Sequence, residues 1–349
     1  MSAGAGTGAT PAPAKIQGFT WTVEDVNLIS AGETWGEVLV DAARANPLIL
    51  ALTADLGNST KIQRFKAAFP ERFFNVGIAE QNLMAVAAGL AATGFTPVVC
   101  SYATFATLRA AEFVRTDIGY GARNVKIIGT LAGVAYGQGG PSHHAIEDLS
   151  IMRGIPGMVV LAPADGHEMG AALLAALAHA GPVYLRTGRG VEPDLPALHG
   201  LPFEIGKARE LAAGSDVALL AIGPCLHEAL RAGRRAARHG VSVRVLNMAS
   251  IKPLDRAAVL AAVLEVGRVI TIEDHAIVGG LGSAVAEVIA ESGQGCSFRR
   301  LGHLDTFLPM GVPEDLMHIG GFDEDAILAA IAAMMGTAFT EDIDWEDGL

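Results

Sequence analysis

Short runs of apolar residues, each the length of one buried strand, recur along this chain and alternate with longer amphipathic segments. Nearly every position in a run is apolar, which is typical of parallel strands whose sheet is covered by helices on both faces. The alternation therefore predicts an α/β fold with mostly parallel, doubly wound sheets. In the first part of the chain the predicted strands are 48–53, 73–76, 97–101, 125–130 and 158–162, and the predicted helices are 60–69, 79–92, 105–118, 144–153 and 166–180.

A proline-punctuated stretch, P-D-L-P-A-L-H-G-L-P at residues 193–202, divides this pattern into two series. We therefore predict two doubly wound domains: one at residues 27–192 and, after a linker at 193–203, a smaller one at 204–349. Residues 1–26, rich in Ala, Gly and Pro, are predicted to be a disordered tail and lead-in. In the second domain the predicted strands are 217–222, 242–246, 269–272 and 298–301.

The overall charge and the cysteines narrow the class of protein. The formal net charge of -12 argues against a nucleic-acid surface, which needs clustered Lys and Arg. Cys100, Cys225 and Cys296 are scattered, so neither a disulfide framework nor a cysteine zinc site is predicted. No uninterrupted apolar run is long enough for a membrane span, and the amino terminus lacks the basic start of a signal peptide. We expect a cytoplasmic protein that binds neither nucleic acid nor membrane.

The stretch F-F-N-V-G-I-A-E-Q-N, residues 73–82, carries the first chemical signal. A strand is predicted to run into Gly77 and a helix to begin near Ala79, which places Glu80 in the first helical turn. One interpretation is that Glu80 only complements the positive end of the helix dipole. The other is that a carboxyl group at a strand end does acid–base chemistry.

A second signal is the glycine-dense stretch G-T-L-A-G-V-A-Y-G-Q-G-G-P-S-H-H, residues 129–144. Such a loop brings backbone close to another group, although it is also compatible with an ordinary loop in which Ser142 caps a helix. Neighbouring histidines do not project together, so we predict no metal site at His143 and His144.

These motifs resemble the transketolase and deoxyxylulose-phosphate synthase family, in family order over nearly the whole chain after the tail. The matching strings are N-V-G-I-A-E-Q-N, G-G-P-S-H and C-S-Y-A-T-F. The resemblance implies that Glu80 shares a proton with the aminopyrimidine ring of thiamine diphosphate, and that His143 contacts the reacting oxygens of a donor sugar. It implies that Phe105 stacks on the ring, although its spacing equally suits a core residue.

Further site residues follow only from the same resemblance. It implies that Asp55, Leu56 and Gln81 lie beside the cofactor, together with Glu80 and Phe105. Ser59 aligns with a ligand of a substrate phosphate, and Arg189 with a phosphate-binding arginine for which Arg186 is the fallback. A surface salt bridge is the alternative for these arginines. For His275 we expect a structural role.

The resemblance also implies a partner chain. Full-length relatives hold the cofactor diphosphate and Mg²⁺ through a G-D-G…N motif, and no G-D-G occurs in this sequence. We therefore expect the diphosphate and Mg²⁺ to be held mainly by an amino-terminal transketolase subunit, in an α2β2 heterotetramer.

The predicted function is transfer of a two-carbon ketol unit from a ketose to an aldehyde acceptor. Three family positions that face the acceptor align with Gly32, Leu131 and Gly139, in place of an Arg, a His and an acidic residue. An unusual sugar, such as apulose 4-phosphate or a sulfosugar, fits a channel altered in this way. The alternatives are a decarboxylating enzyme acting on 2-oxo acids, resembling deoxyxylulose-phosphate synthase or a dehydrogenase β subunit, and a non-catalytic regulatory subunit.

Overall fold

The computed structural model describes residues 28–29, 31–189 and 192–339, with side chains from residue 35 onward. Within this part of the chain, strands and helices alternate as expected for an α/β protein. In chain order the strands are β1 (Leu28–Ile29), β2 (Ile49–Thr53), β3 (Phe73–Asn75), β4 (Thr96–Tyr102), β5 (Lys126–Thr130), β6 (Val159–Leu161), β7 (Val183–Arg186), β8 (Glu192–Pro193), β9 (Arg209–Ala212), β10 (Val217–Ala221), β11 (Val243–Asn247), β12 (Ser250–Lys252), β13 (Arg268–Ala276) and β14 (Ser297–His303).

The helices lie between these strands and after the last of them. The predicted helix 105–118 is formed by three consecutive segments: a π-helical turn at Phe105–Arg109, the short helix α4 at Ala111–Phe113, and a second π-helical turn at Val114–Tyr120. In chain order the helices are α1 (Ala31–Ala45), α2 (Gln63–Ala68), α3 (Glu80–Ala92), α4 (Ala111–Phe113), α5 (Asp148–Gly154), α6 (Gly166–Ala178), α7 (Cys225–Arg238), α8 (Arg256–Glu265), α9 (Leu281–Ser292), α10 (Pro313–Gly320) and α11 (Glu324–Met335).

The first large sheet has seven strands among the described residues, in the order β12-β6-β7-β5-β4-β2-β3, and all its pairings except β12–β6 are parallel. Side chains of successive residues in a strand point to opposite faces. Leu50 and Leu52 of β2 accordingly pack in one hydrophobic cluster, and Ile49 and Ala51 pack in another. Helices therefore cover both faces of this sheet, which explains why its strands are apolar throughout.

The second large sheet has the order β14-β13-β10-β11-β9, with only β9 antiparallel to its neighbour. It too is covered on both faces: Ala218 and Leu220 of β10 belong to one cluster, and Val217 and Leu219 to another. The sequence-based prediction of two doubly wound, mostly parallel α/β domains is confirmed.

Strand β12 links the two halves of the molecule. It lies well beyond the predicted linker, yet it adds an antiparallel edge strand to the first sheet through β6. Lys252 at its end donates hydrogen bonds from Nζ to the carbonyl oxygens of Arg153 (2.8 Å) and Ile155 (2.6 Å). A strand from the second domain therefore forms one edge of the first domain's sheet. The sequence did not predict this contact between the domains.

The predicted helix at 144–153 is wrong in its first turn, because α5 begins only at Asp148. Gly133 and Ala145 instead exchange two backbone hydrogen bonds of 3.0 Å, so residue 145 is paired across the loop and cannot begin a helix. The predicted disordered tail lies outside the described residues. No helix in the described part of the chain is long and apolar enough to cross a membrane.

Candidate active site

The loops that carry the predicted site residues lie at one edge of the first sheet. In the parallel register Thr53 pairs with Asn75 and with Cys100, and Tyr102 pairs with Thr130, so β2, β3, β4 and β5 end side by side. The carboxyl ends of parallel strands form the crevice in which open α/β sheets bind ligands. Asp55, Glu80, Phe105 and His143 each follow one of these ends.

Glu80 begins α3 just after a side-chain bridge that joins the loops following β2 and β3. The Oδ1 atom of Asn75 accepts hydrogen bonds from the backbone N–H of Asp55 (2.9 Å) and of Gly77 (3.0 Å). Gly77 has φ +78°, which lets the chain turn sharply from β3 into α3. Glu80 is the first residue of α3 and is 1% exposed.

Aromatic rings form a second part of the site. The Tyr102 and Phe105 rings are stacked, with centroids 5.6 Å apart. The ring of His143 meets Phe105 (5.4 Å) and Tyr136 (5.5 Å) edge to face. We call Tyr102, Phe105, Tyr136 and His143 the aromatic cluster. Aromatic faces of this kind suit the stacking of a planar ligand ring.

Arg109 joins the buried carboxylate to the aromatic cluster. Its Nη1 atom lies 3.0 Å from Oε2 of Glu80, and its guanidinium carbon lies 4.4 Å from the centroid of Phe105. The Arg109 side chain is 46% exposed whereas that of Glu80 is 2% exposed. The carboxylate is therefore shielded from water by a guanidinium that can itself move into solvent.

The His143 loop is held in shape by glycines and by short backbone hydrogen bonds. Gly140 has φ +66°, and the N–H of His143 donates to its carbonyl at 2.8 Å. Ser142 does not cap a helix; its Oγ lies 3.0 Å from Nδ1 of His143 and so can orient the ring. His144 points inward with Nε2 3.3 Å from the carbonyl oxygen of Gly137, and burial lowers its pKa. The neighbouring histidines therefore have different environments.

The remaining site residues that the resemblance implies make fewer contacts with Glu80 and the aromatic cluster. Asp55, Ser59 and Gln81 are exposed and Leu56 is half-buried; Asp55 has φ +60° and accepts a hydrogen bond from Nδ2 of Asn75 at 2.9 Å. Asp55, Leu56 and Ser59 lie in the loop after β2, and Gln81 lies in the first turn of α3. Arg189 is exposed, and its guanidinium carbon lies 5.0 Å from the centroid of Tyr136, so it borders the aromatic cluster.

Arg186 does not fit the predicted role of a phosphate ligand. Its side chain is 3% exposed and its Nε lies 2.9 Å from Oδ2 of Asp148, which also accepts a hydrogen bond from the Tyr184 hydroxyl at 2.7 Å. Its Nη2 donates to the carbonyl oxygens of Ala145 (3.2 Å) and Asp274 (2.6 Å). These contacts hold the Arg186 guanidinium in the interior, where it is not available to a substrate anion.

His275 lies in the same interior region, between the two domains. It is fully buried, and burial lowers its pKa to about 4. Its Nδ1 is 2.7 Å from the carbonyl oxygen of Ala276, and its Nε2 accepts a hydrogen bond from the backbone N–H of Ser150 at 3.3 Å. These contacts agree with the structural role expected for it.

Sequence reasoning missed Arg109, Tyr102 and Tyr136 as site residues. Tyr102 and Arg109 flank Phe105 in the same stretch, and Arg109 follows Phe105 by one helical turn. That spacing was an available signal, because residues four apart in a helix lie on one face.

Taken together, the site fits a planar, nitrogen-containing aromatic ring. Phe105 offers a face for stacking, and Glu80 offers a buried carboxyl that can share a proton with a ring nitrogen. These features define a class of α/β proteins that bind a heteroaromatic cofactor at the strand ends.

The chain belongs to the transketolase family. Residues 28–193 match the transketolase pyrimidine-binding domain, and residues 206–327 match the transketolase C-terminal domain. Membership implies dependence on thiamine diphosphate, whose pyrimidine ring is a group of the kind that this site fits.

Two curated relatives and one solved structure align with most of this chain and over most of their own length. The 6-deoxy-6-sulfo-D-fructose transketolase subunit SqwH of Clostridium sp. (strain MSTE9) is 38% identical over 85% of this chain and 92% of its own. An apulose-4-phosphate transketolase subunit of Phocaeicola vulgatus is 37% identical over 76% and 85%. A structure described as a split gene transketolase, inactive beta4 tetramer, has a TM-score of 0.80 and 41% identity, covering 89% of this chain and 99% of that one.

Proposed function

We propose that this chain is the carboxy-terminal subunit of a two-chain transketolase that moves a two-carbon ketol unit from a ketose to an aldehyde acceptor. The observation that carries the proposal is the buried Glu80 carboxylate beside the aromatic cluster, at the strand ends of a pyrimidine-binding domain. When bound, thiamine diphosphate supplies the nucleophilic carbon and the electron sink for the transfer.

Glu80 holds the proton that the reaction needs at the pyrimidine ring. Its position at the start of α3, inside the sheet edge, excludes water from the carboxyl group and fixes its direction. Phe105 and Tyr102 provide the stacking surface that orients the ring. In the lone chain Arg109 pairs with Glu80 and lies over the Phe105 ring. It has to move aside when the pyrimidine ring binds.

His143 and Arg189 act on the sugar. His143 is held by Ser142 and by two aromatic rings, and it contacts the oxygens of the donor sugar. Arg189, exposed at the border of the cluster, binds the anionic end of the substrate, together with Ser59. Asp55 and Leu56, from the loop after β2, and Gln81, from the first turn of α3, line the cofactor.

A partner subunit holds the diphosphate and Mg²⁺, and the assembled enzyme is an α2β2 heterotetramer. The absence of a G-D-G string from the sequence and the likeness to a subunit named as inactive in a β4 tetramer support this division of labour. The lone chain should bind thiamine diphosphate weakly and show no transfer activity. Calorimetry that found tight, Mg²⁺-dependent binding to the lone chain would contradict the division.

The substrate is an unusual sugar, such as apulose 4-phosphate or a sulfosugar, as two relatives' names suggest. Gly139 supports an altered channel, because a Cβ atom there would lie 2.8 Å from Cβ of His143 and 2.7 Å from a Tyr136 ring carbon. An acidic side chain could not replace Gly139 without moving His143. Leu131 is buried with φ +56° and donates its N–H to the carbonyl of Gly188, so it presents no polar group to a substrate.

The test is a substrate panel with the chain reconstituted with its amino-terminal partner. We expect branched or sulfonated sugars to give a higher kcat/KM than xylulose 5-phosphate with ribose 5-phosphate. If the ordinary pair is best, at about 10⁴ M⁻¹s⁻¹ or more, the substrate proposal is wrong. Release of CO₂ from pyruvate would instead indicate the decarboxylating alternative, and no turnover with any substrate would favour a regulatory subunit.

A further inference from the structure

A cluster of titratable side chains that the proposed chemistry does not use lies where α6 meets the segment after β8. His167 is the second residue of α6, whereas Asp194 and His199 come from the segment that follows β8. One ligand atom from each of the three residues lies within 4.8 Å of the other two. Because His167 is far in sequence from Asp194 and His199, the three residues form no metal-binding spacing in the sequence.

The fold holds the two segments together through one carboxylate. Asp165 caps α6 by accepting the backbone N–H of Glu168 at 2.8 Å, and its other oxygen accepts the N–H of Leu195 at 2.9 Å. Leu195 and Leu198 are buried in the core, and they anchor the turn that carries His199. The Asp165 carboxylate is occupied by these bonds, so Asp194 is the carboxylate left to bind a ligand.

Within the cluster the donor atoms already face one another. Nε2 of His199 lies 2.5 Å from Oδ1 of Asp194, and the rings of His167 and His199 have centroids 3.9 Å apart. Ligand atoms around a tetrahedral zinc ion lie about 3.3 Å from one another, so small side-chain rotations are enough to reach that geometry. Asp194 is 7% exposed and His199 38% exposed, so one side of the cluster is open to water.

We propose that His167, Asp194 and His199 form a zinc site, with water as the fourth ligand. Two imidazoles and one carboxylate suit Zn²⁺ and disfavour Mg²⁺, which prefers oxygen ligands. An ion held there ties the first turn of α6 to the segment that joins the two large sheets. Its role is to fix that connection, and it takes no part in sugar transfer.

The test uses the full-length, tag-free chain, freed of metal with a chelator and then titrated with Zn²⁺ in the presence of excess Mg²⁺. We expect one Zn²⁺ per chain, and with Co²⁺ the intense visible absorption of a tetrahedral complex. His167→Asn and His199→Asn should each weaken binding at least tenfold, with an unchanged circular dichroism spectrum. Asp194→Asn offers a third variant if one of the histidine variants does not fold.

His318→Asn is the matched control, because it removes a second His–Asp pair that has a different geometry. Nδ1 of His318 lies 2.7 Å from Oδ2 of Asp323, and among the described residues this pair belongs to no three-ligand group. The control should bind zinc as the wild type does. The proposal is overturned if the wild type binds no Zn²⁺ at micromolar concentrations, or if the cluster variants and the control bind equally.

Discussion

Two arginine–carboxylate pairs of similar length have different environments in this molecule. Arg109 and Glu80 are 3.0 Å apart, and only the carboxylate is buried. Arg186 and Asp148 are 2.9 Å apart, and both side chains are buried, with Tyr184 as a further partner of the carboxylate. A pair is available for chemistry when its cation can move into solvent and a ligand can take its place beside the carboxylate. By this criterion the first pair suits the active site that we propose, and the second pair is structural.

The two pairs should differ most in how much each contributes to the free energy of unfolding. Arg186→Met leaves the Asp148 carboxylate buried without its cation, which should lower the free energy of unfolding by about 3–5 kcal/mol. Arg109→Met removes a cation that is itself 46% exposed, so it should cost less, about 1–3 kcal/mol. Chemical denaturation of both variants measures the difference. Equal losses would break the distinction between the pairs.

A smaller effect concerns Glu273, a buried carboxyl group on β13 of the second domain. It accepts the backbone N–H groups of Leu281 (2.6 Å) and Gly282 (2.8 Å), and burial raises its pKa from 4.5 to about 7. A raised pKa in the folded state gives stability that is present below pH 4.5 and is lost as the pH rises through about 7.

Glu273→Gln should remove that pH dependence. Relative to the variant, the wild type should lose about 2–3 kcal/mol of unfolding free energy between pH 4.5 and pH 8. Denaturation curves of both proteins at several pH values measure the loss. A difference that stays constant with pH would mean that Glu273 titrates as an ordinary exposed carboxyl group.

The smallest change is expected for Arg189→Gln, which tests whether the exposed Arg189, and not the buried Arg186, binds the anionic end of the sugar. Arg189→Gln in the assembled enzyme should raise KM for an anionic sugar about tenfold, which corresponds to about 1.4 kcal/mol, because one charge-assisted hydrogen bond is lost. With a neutral sugar the KM should hardly change. A fall in kcat with unchanged KM for both sugars would show that Arg189 does not bind the anionic end.

The sequence predicted the layers of the fold and the loops of the site, for a physical reason. Apolar runs report strands covered on both faces, and parallel strands deliver the residues that follow them to one edge. Glu80, Phe105 and His143 therefore lie together, as their shared motifs indicated.

What the sequence did not predict depends on contacts between distant segments. Arg186 ends β7, a position that suits a phosphate ligand, but its guanidinium instead contacts Asp148 and the carbonyl of Asp274, both remote in sequence. Strand β12 has only three residues, too few for a periodic signal, and its partner β6 belongs to the other domain. The cluster of His167, Asp194 and His199 is likewise assembled only by the fold.

In the function that we propose, the Glu80 carboxyl group shares a proton with the pyrimidine ring, and this sharing activates the cofactor. Glu80→Gln preserves the size of the side chain but cannot share a proton, and Glu112→Gln, at an exposed position in α4, is the matched control. The direct measurement is the exchange of the thiazolium C2 proton of thiamine diphosphate bound to the two-chain enzyme, followed by NMR. We predict that Glu80→Gln slows this exchange by about 10²-fold or more while the control exchanges at the wild-type rate. An unchanged exchange rate in Glu80→Gln would mean that Glu80 is only a charge at the start of a helix.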